Sequence, residues 1–276
     1  MALNKAEKKS QNKSWWYWQE RQAAAQAELT TKNISETEAQ LKRYYKRTMD
    51  SIIGQFEATY NKILLSIEDG REPTPADLYK LDTYWKQQAQ LATELNRLGD
   101  KQAKLFSKKF MDEWHNIYEA VAAKDDLFFS EVSFENAQQM INQIWCADGV
   151  SWSSRVWKNT ALLQQDLNEG LIECLLAGRK TSELKKLLQE RFNVSYNRAD
   201  SIVRTEMAHI QTQAAKQRYA DAGLEEVEVW ADKDERRCDV CGKLHQKRFP
   251  IGGNMPIPAH PRCRCCILPV VEDSEP

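Results

Sequence analysis

The chain has 276 residues, with 39 Lys+Arg against 40 Asp+Glu, 42% hydrophobic residues, and only 10 Gly and 8 Pro. This length allows one or two domains and an ample core, while scarce Gly and Pro point to helices rather than a sandwich or barrel. A formal net charge of −1 removes any whole-chain argument for nucleic-acid binding, and no apolar run approaches the roughly 18 residues of a membrane span.

Residues 1–14 carry four Lys and one Glu. They lack the apolar stretch of a secretory signal, so synthesis in a cytosol-like compartment is expected. Trp15-Trp16-Tyr17-Trp18 follows. It reads as a helix start whose rings pack on the body, or as an aromatic anchor for a partner protein. Ser35-Glu36-Thr37-Glu38 has the form of a capping box, so a helix is predicted from there to a stop at Gly70. Its stripe is Leu41, Tyr45, Ile52, Phe56, Tyr60, Ile63, Leu64 and Ile67. Thr74-Pro75 predicts the next helix start, with Leu78, Leu81, Trp85, Leu91, Leu95 and Leu98 as its apolar face and Gly99 as its end. A third helix is expected over about 100–123, through Leu105, Phe106, Phe110, Trp114, Ile117 and Val121. After a break near Lys124-Asp125-Asp126, a short helix is predicted over 134–146 and a longer one from Ser151 to Leu176, closed by Gly178. Thr181 and Ser195 each read as caps, predicting two helices over 181–192 and 195–222, the second ended by Gly223.

The pattern changes there. Residues 225–232 alternate acidic and apolar side chains, which predicts a short strand. Cysteines then crowd together: five of the seven, Cys238, Cys241, Cys263, Cys265 and Cys266, fall close to one another. In a reducing compartment such clustering favours a metal over disulfides. Cys238-x2-Cys241 has the spacing that lets two thiolates grip one ion from a tight turn. His260 and Cys263 complete a tetrahedral Zn2+ set, with Cys265 as the rival for the fourth place. Cys266 is expected to point away, beside Ile267 and Leu268, and Cys146 and Cys174 to sit in the core. The segment 232–269 has few large apolar residues (Leu244, Phe249, Ile251, Ile257), and a bound ion would supply folding free energy that so small a core lacks. His245 is expected to face solvent.

Charge is uneven here as well. Between Lys233 and Cys266 there are eight Lys/Arg against three acidic residues. Arg236, Arg237, Lys243, Lys247, Arg248 and Arg262 are therefore candidate phosphate contacts. Three thiolates and one imidazole form a closed shell typical of structural sites. A zinc-dependent nuclease or hydrolase, drawing on Asp234, Glu235 or Glu206, is the alternative, and a non-specific DNA-binding module is another.

Four motifs occur in order: Asp148-Gly149 with Ser151-x3-Arg155-Val156-Trp157; Arg204-Thr205-Glu206; Trp230-x3-Asp234-x3-Cys238-x2-Cys241-Gly242; and His260-Pro261-x-Cys263-Arg264-Cys265. From about Gln143 to Pro269 the chain resembles the phage head morphogenesis family, the Mu F-like minor head proteins. The resemblance implies a virion component inside the head near the portal vertex, assembled in the host cytoplasm, with no enzymatic activity. It implies the portal protein as partner, with the major capsid or scaffolding protein and packaged double-stranded DNA as further candidates. Arg204, Glu206, Asp234 and Arg264 are structural motif residues in this reading, one of Arg204 and Glu206 reaching the zinc module and the other a neighbouring helix.

The expected fold is mainly α: an elongated helical body with a small C-terminal α+β zinc-knuckle-like module. The expected organisation is an N-terminal helical region over 1–130 as a docking candidate, a helical part of the head morphogenesis domain over 131–222, and a Cys/His-rich module with an acidic tail over 223–276.

Overall fold

The structure is a computed structural model that describes residues 15–66, 82–122, 134–177, 179–231, 235 and 237–270. In chain order its elements are α1 (Trp15–Ser66), α2 (Asp82–Ala122), α3 (Phe134–Asn142), α4 (Trp152–Leu176), α5 (Thr181–Asp221), β1 (Glu226–Trp230), α6 (Asp239–Leu244), β2 (Arg248–Pro250) and β3 (Cys266–Pro269). The fold is mainly α with a small C-terminal strand region. The Gly70 stop, the Thr74-Pro75 start, Leu78 and Leu81, the 124–126 break, Gly178 and the acidic tail lie outside the described residues, as do the rings of Trp15–Trp18 and the side chains of Ile63 and Leu64.

Three expected helix boundaries are absent. Ser35 lies inside α1, where its hydroxyl donates to the Thr31 carbonyl at 2.8 Å rather than capping a new helix. Gly99 lies inside α2, and α2 continues through it. Ser195 lies inside α5, buried, with its Oγ 3.0 Å from the Tyr45 hydroxyl. Cap and breaker residues bias the backbone by about 1 kcal/mol, which the packing of long amphipathic helices overrides. Gly223 does end a helix. At φ 76 it adopts the left-handed conformation that L side chains disfavour, and Leu224 N–H closes back on the Tyr219 carbonyl at 3.0 Å.

The chain divides into two compact units. One comprises Met1–Ser35, Lys108–Gln143 and Arg204–Pro276; the other comprises Glu36–Ser107 and Ile144–Val203. Among its described residues, the regular structure of the second unit is all helical. Its core includes Leu41, Ile52, Phe56, Tyr60, Leu91, Leu95, Leu98 and Phe106, the stripe read from the sequence. Trp85 departs from that stripe and is 57% exposed, one turn into α2 from its first residue. A polar knot sits within this core: Asn159 Nδ2 donates to the Ser195 carbonyl (2.9 Å) and to the Tyr45 hydroxyl (3.2 Å). Burial pushes the Tyr45 phenol up to about 12. At the surface, Arg155 pairs with Asp148 at 2.6 Å, tying together two members of one sequence motif. Cys174 is buried, whereas Cys146 is only half-buried in the turn before α4.

In the first unit, β1 is the central strand of an antiparallel sheet of order β2-β1-β3. Val227 pairs with Phe249, and Val229 with Ile267. Val227 and Val229 are buried while Glu226 is exposed, so the period-two pattern of this stretch is the sheet's inside-outside alternation. Trp230, Cys266 and Leu268 pack with Ala23 of α1, which places Cys266 in the core as expected. Gln26 Nε2 donates to the Ile267 carbonyl at 3.3 Å. Glu113 of α2 is fully buried and accepts from Thr30 (2.5 Å) and Asn33 (2.9 Å). Burial raises its carboxyl, against the opposing effect of those two bonds.

Candidate metal centre

The knuckle begins with Cys238, the N-cap of the six-residue helix α6. Its sulfur accepts from Cys241 N–H at 3.4 Å, and Gly242 N–H returns to the Cys238 carbonyl at 2.9 Å. One helical turn therefore brings the two sulfurs to the same side, because positions three apart neighbour each other on a helix. The second pair of donors lies on a turn. Cys263 N–H closes on the His260 carbonyl at 3.2 Å, and Arg262 between them has φ 61. This is the pattern of a turn with Pro at its second position and a left-handed residue at its third.

The two halves meet. His260 Nε2 lies 3.3 Å from Cys238 Sγ and 3.2 Å from Cys241 Sγ, and Cys241 Sγ lies 3.8 Å from Cys263 Sγ. Zinc–sulfur bonds of about 2.3 Å in a tetrahedron place two sulfurs about 3.8 Å apart. The donors form two overlapping triads, Cys238–Cys241–His260 and Cys241–Cys263–Cys265, within each of which the ligand atoms lie within 4.8 Å of one another. Cys241 belongs to both.

Imidazole geometry adds a second test of fit. His260 Nδ1 is 2.8 Å from the Pro261 carbonyl, which can only accept. Nδ1 therefore carries a proton, and Nε2 in the neutral ring turns a lone pair towards the two sulfurs. A backbone carbonyl on the far nitrogen is the usual device that orients a metal-binding histidine. The thiols divide in kind. The Cys241 amide holds Cys238 below the usual thiol range, and a hydrogen bond from Cys265 brings Cys263 down to about 5. Burial pushes Cys241 up to about 12, and the same bond to Cys263 raises Cys265, its donor. Within each triad, donor chemistry and spacing suit a thiophilic ion such as Zn2+, and the His260 tautomer does too.

The surroundings revise several sequence expectations. His245 does not face solvent as expected: its Nδ1 accepts from Ala231 N–H at 3.2 Å, and its ring meets Trp230 edge-on at 5.0 Å. These two contacts leave it half-buried. Arg237, Lys243, Lys247, Arg248, Arg262 and Arg264 are exposed, while Arg236 and Asp234 lie outside the described residues. Glu235 is exposed and Glu206 is buried. Arg204 is half-buried and lines a cavity of about 420 Å³ together with Arg264, Cys263, Trp230 and Gln211, so the Arg-Thr-Glu motif does border the metal module. The bond that joins them was not foreseen. Thr205, between the two charged residues singled out, accepts from Arg262 N–H at 3.1 Å. Only its place inside the motif signalled it.

Residues 165–268, from within α4 to β3, match the model of the family described as Phage Mu protein F like protein, so this stretch is similar to a phage head morphogenesis family. Neither a curated protein nor a solved structure matches the chain.

Proposed function

We propose that this chain is a non-enzymatic minor head protein of a bacteriophage, which acts in procapsid and head morphogenesis at the portal vertex. The observation that carries this reading is the family match over 165–268, a stretch that contains the Arg-Thr-Glu motif and all five clustered donors. The helical units dock on the portal protein, with major capsid or scaffolding protein as a further contact. The C-terminal module is held together by a structural zinc on Cys238, Cys241, His260 and Cys263, with Cys265 the alternative fourth ligand. Three thiolates and one imidazole fill a tetrahedral shell and leave no position for a reactive water, which favours a structural ion over a zinc nuclease or hydrolase. The zinc would supply on the order of 10 kcal/mol of folding free energy to a module whose buried apolar side chains after β1 are few, chiefly Ile251, Ile257, Ile267 and Leu268.

A second reading rests on the exposed basic side chains Arg237, Lys243, Lys247, Arg248 and Arg262. They would let the same module touch the phosphates of packaged DNA during packaging or ejection.

The test has two arms. Purified protein is expected to carry about one zinc per chain, and Cys241→Ser to lose it together with amide protection across 226–270. Metal-free wild-type protein with that segment still protected would sink the zinc assignment. The portal protein encoded with this chain is expected to co-purify with it from procapsids, and its absence from both procapsids and virions would remove the portal assignment.

A further inference from the structure

We infer that Thr205 is a positioning residue for the metal centre: its hydroxyl anchors the turn that carries His260 and Cys263 to helix α5. The inference rests on the reading of the cluster as a zinc site. The two halves of the donor set differ in support. Cys238 and Cys241 are braced by α6 itself, through the N-cap bond and the closure of Gly242 on Cys238. His260 and Cys263 instead sit in the stretch 251–265, which contains no helix or strand. Their mutual geometry is set by four residues and one 3.2 Å backbone bond.

At the third position of that turn, the left-handed backbone of Arg262 directs its N–H towards α5. The N–H meets Thr205 Oγ1 at 3.1 Å, across 57 residues of sequence. A hydroxyl on a 41-residue helix is a rigid acceptor. Fixing the amide of Arg262 fixes the Pro261–Arg262 peptide plane, the central one of the turn, and so helps to set the directions in which His260 and Cys263 leave the backbone on either side of it. The bond also gives the Arg-Thr-Glu motif a physical purpose that pairing of its two charges does not, since Arg204 and Glu206 project from different sides of the helix.

The experiment compares Thr205→Val, which keeps the side chain's shape and removes the acceptor, with Thr205→Ser, which keeps the acceptor. Zinc release from the full-length chain to a chromogenic chelator is followed, together with helical circular dichroism and the ligand-field spectrum of the Co2+-substituted protein. Loss of an outer-shell partner weakens metal sites by about 10- to 100-fold. The Val variant is therefore expected to release zinc about 10-fold faster, with an altered Co2+ spectrum and unchanged helix content, and the Ser variant to behave like wild type. Equal release from wild type and Val overturns the inference while leaving the zinc site standing, and so does a Ser variant as leaky as Val. A wild-type chain that binds no zinc overturns both.

Discussion

The indole of Trp157, on α4, occupies the space that a side chain at Gly99, on α2, would enter: a Cβ at position 99 would lie 2.7 Å from Trp157 Cζ3. Position 99 is helical, so Gly99→Ala should gain up to about 1 kcal/mol of helix propensity. Overpacking a close contact costs about 1–3 kcal/mol, and three ring atoms lie within 3.2 Å of that Cβ. A net loss of about 1 kcal/mol is expected in urea unfolding, with measurable coupling in a double-mutant cycle with Trp157→Leu. A stabilised Gly99→Ala protein would show that the ring yields freely.

His209 gives the fold an acid sensitivity with a definite sign. Burial lowers its imidazole from 6.5 to about 4. Between those values the unfolded chain binds more protons than the folded one, so stability rises with pH there and is lost as pH falls from about 6.5 towards about 4. At about pH 5 the loss from this group is about 2 kcal/mol relative to about pH 7. His209→Gln should flatten the difference in urea stability between those two conditions by that amount, whatever its effect at neutral pH. Identical pH slopes for the two proteins would show that His209 is not the responsible group.

The basic face offers a test in salt. If Lys243, Lys247 and Arg248 contact phosphates, the chain should bind a short duplex of arbitrary sequence with affinity that falls steeply as salt rises. Changing all three to Ala should reduce the log–log salt slope by about 3, since each phosphate neutralised by a basic side chain adds about 0.9 to it. Fluorescence anisotropy measures this directly. Binding that ignores salt, or a triple variant with the wild-type slope, would leave the module as a purely protein-facing element.

What could be read in advance followed from the physics of each signal. The stripes Leu91–Leu95–Leu98 and Phe106–Phe110–Trp114 are buried because a 3.6-residue period leaves them no other face to present. The neighbourhood of Cys238 and Cys241 was legible because helical spacing alone brings the two together, whereas the division of His260 and Cys263 between two donor triads was not. Ser35, Gly99 and Ser195 misled because their true roles are tertiary or weakly local. Gly99 makes room for Trp157 and Ser195 meets Tyr45, neighbours that no local window contains. Thr205 was hidden for the same reason: its acceptor role depends on the turn at Arg262, 57 residues further on.

The bond from Gln26 to the Ile267 carbonyl spans 241 positions, and it sets a timetable for folding on the ribosome. Chains emerge at about 5–20 residues per second, so the first turns of α1 wait on the order of tens of seconds before β3 exists to receive them. Ala23, whose core neighbours Trp230, Cys266 and Leu268 all belong to the last quarter of the chain, waits with them. During that interval the face of α1 that packs on the sheet has none of those partners. Circular permutation that brought the sheet module ahead of α1 would abolish the wait.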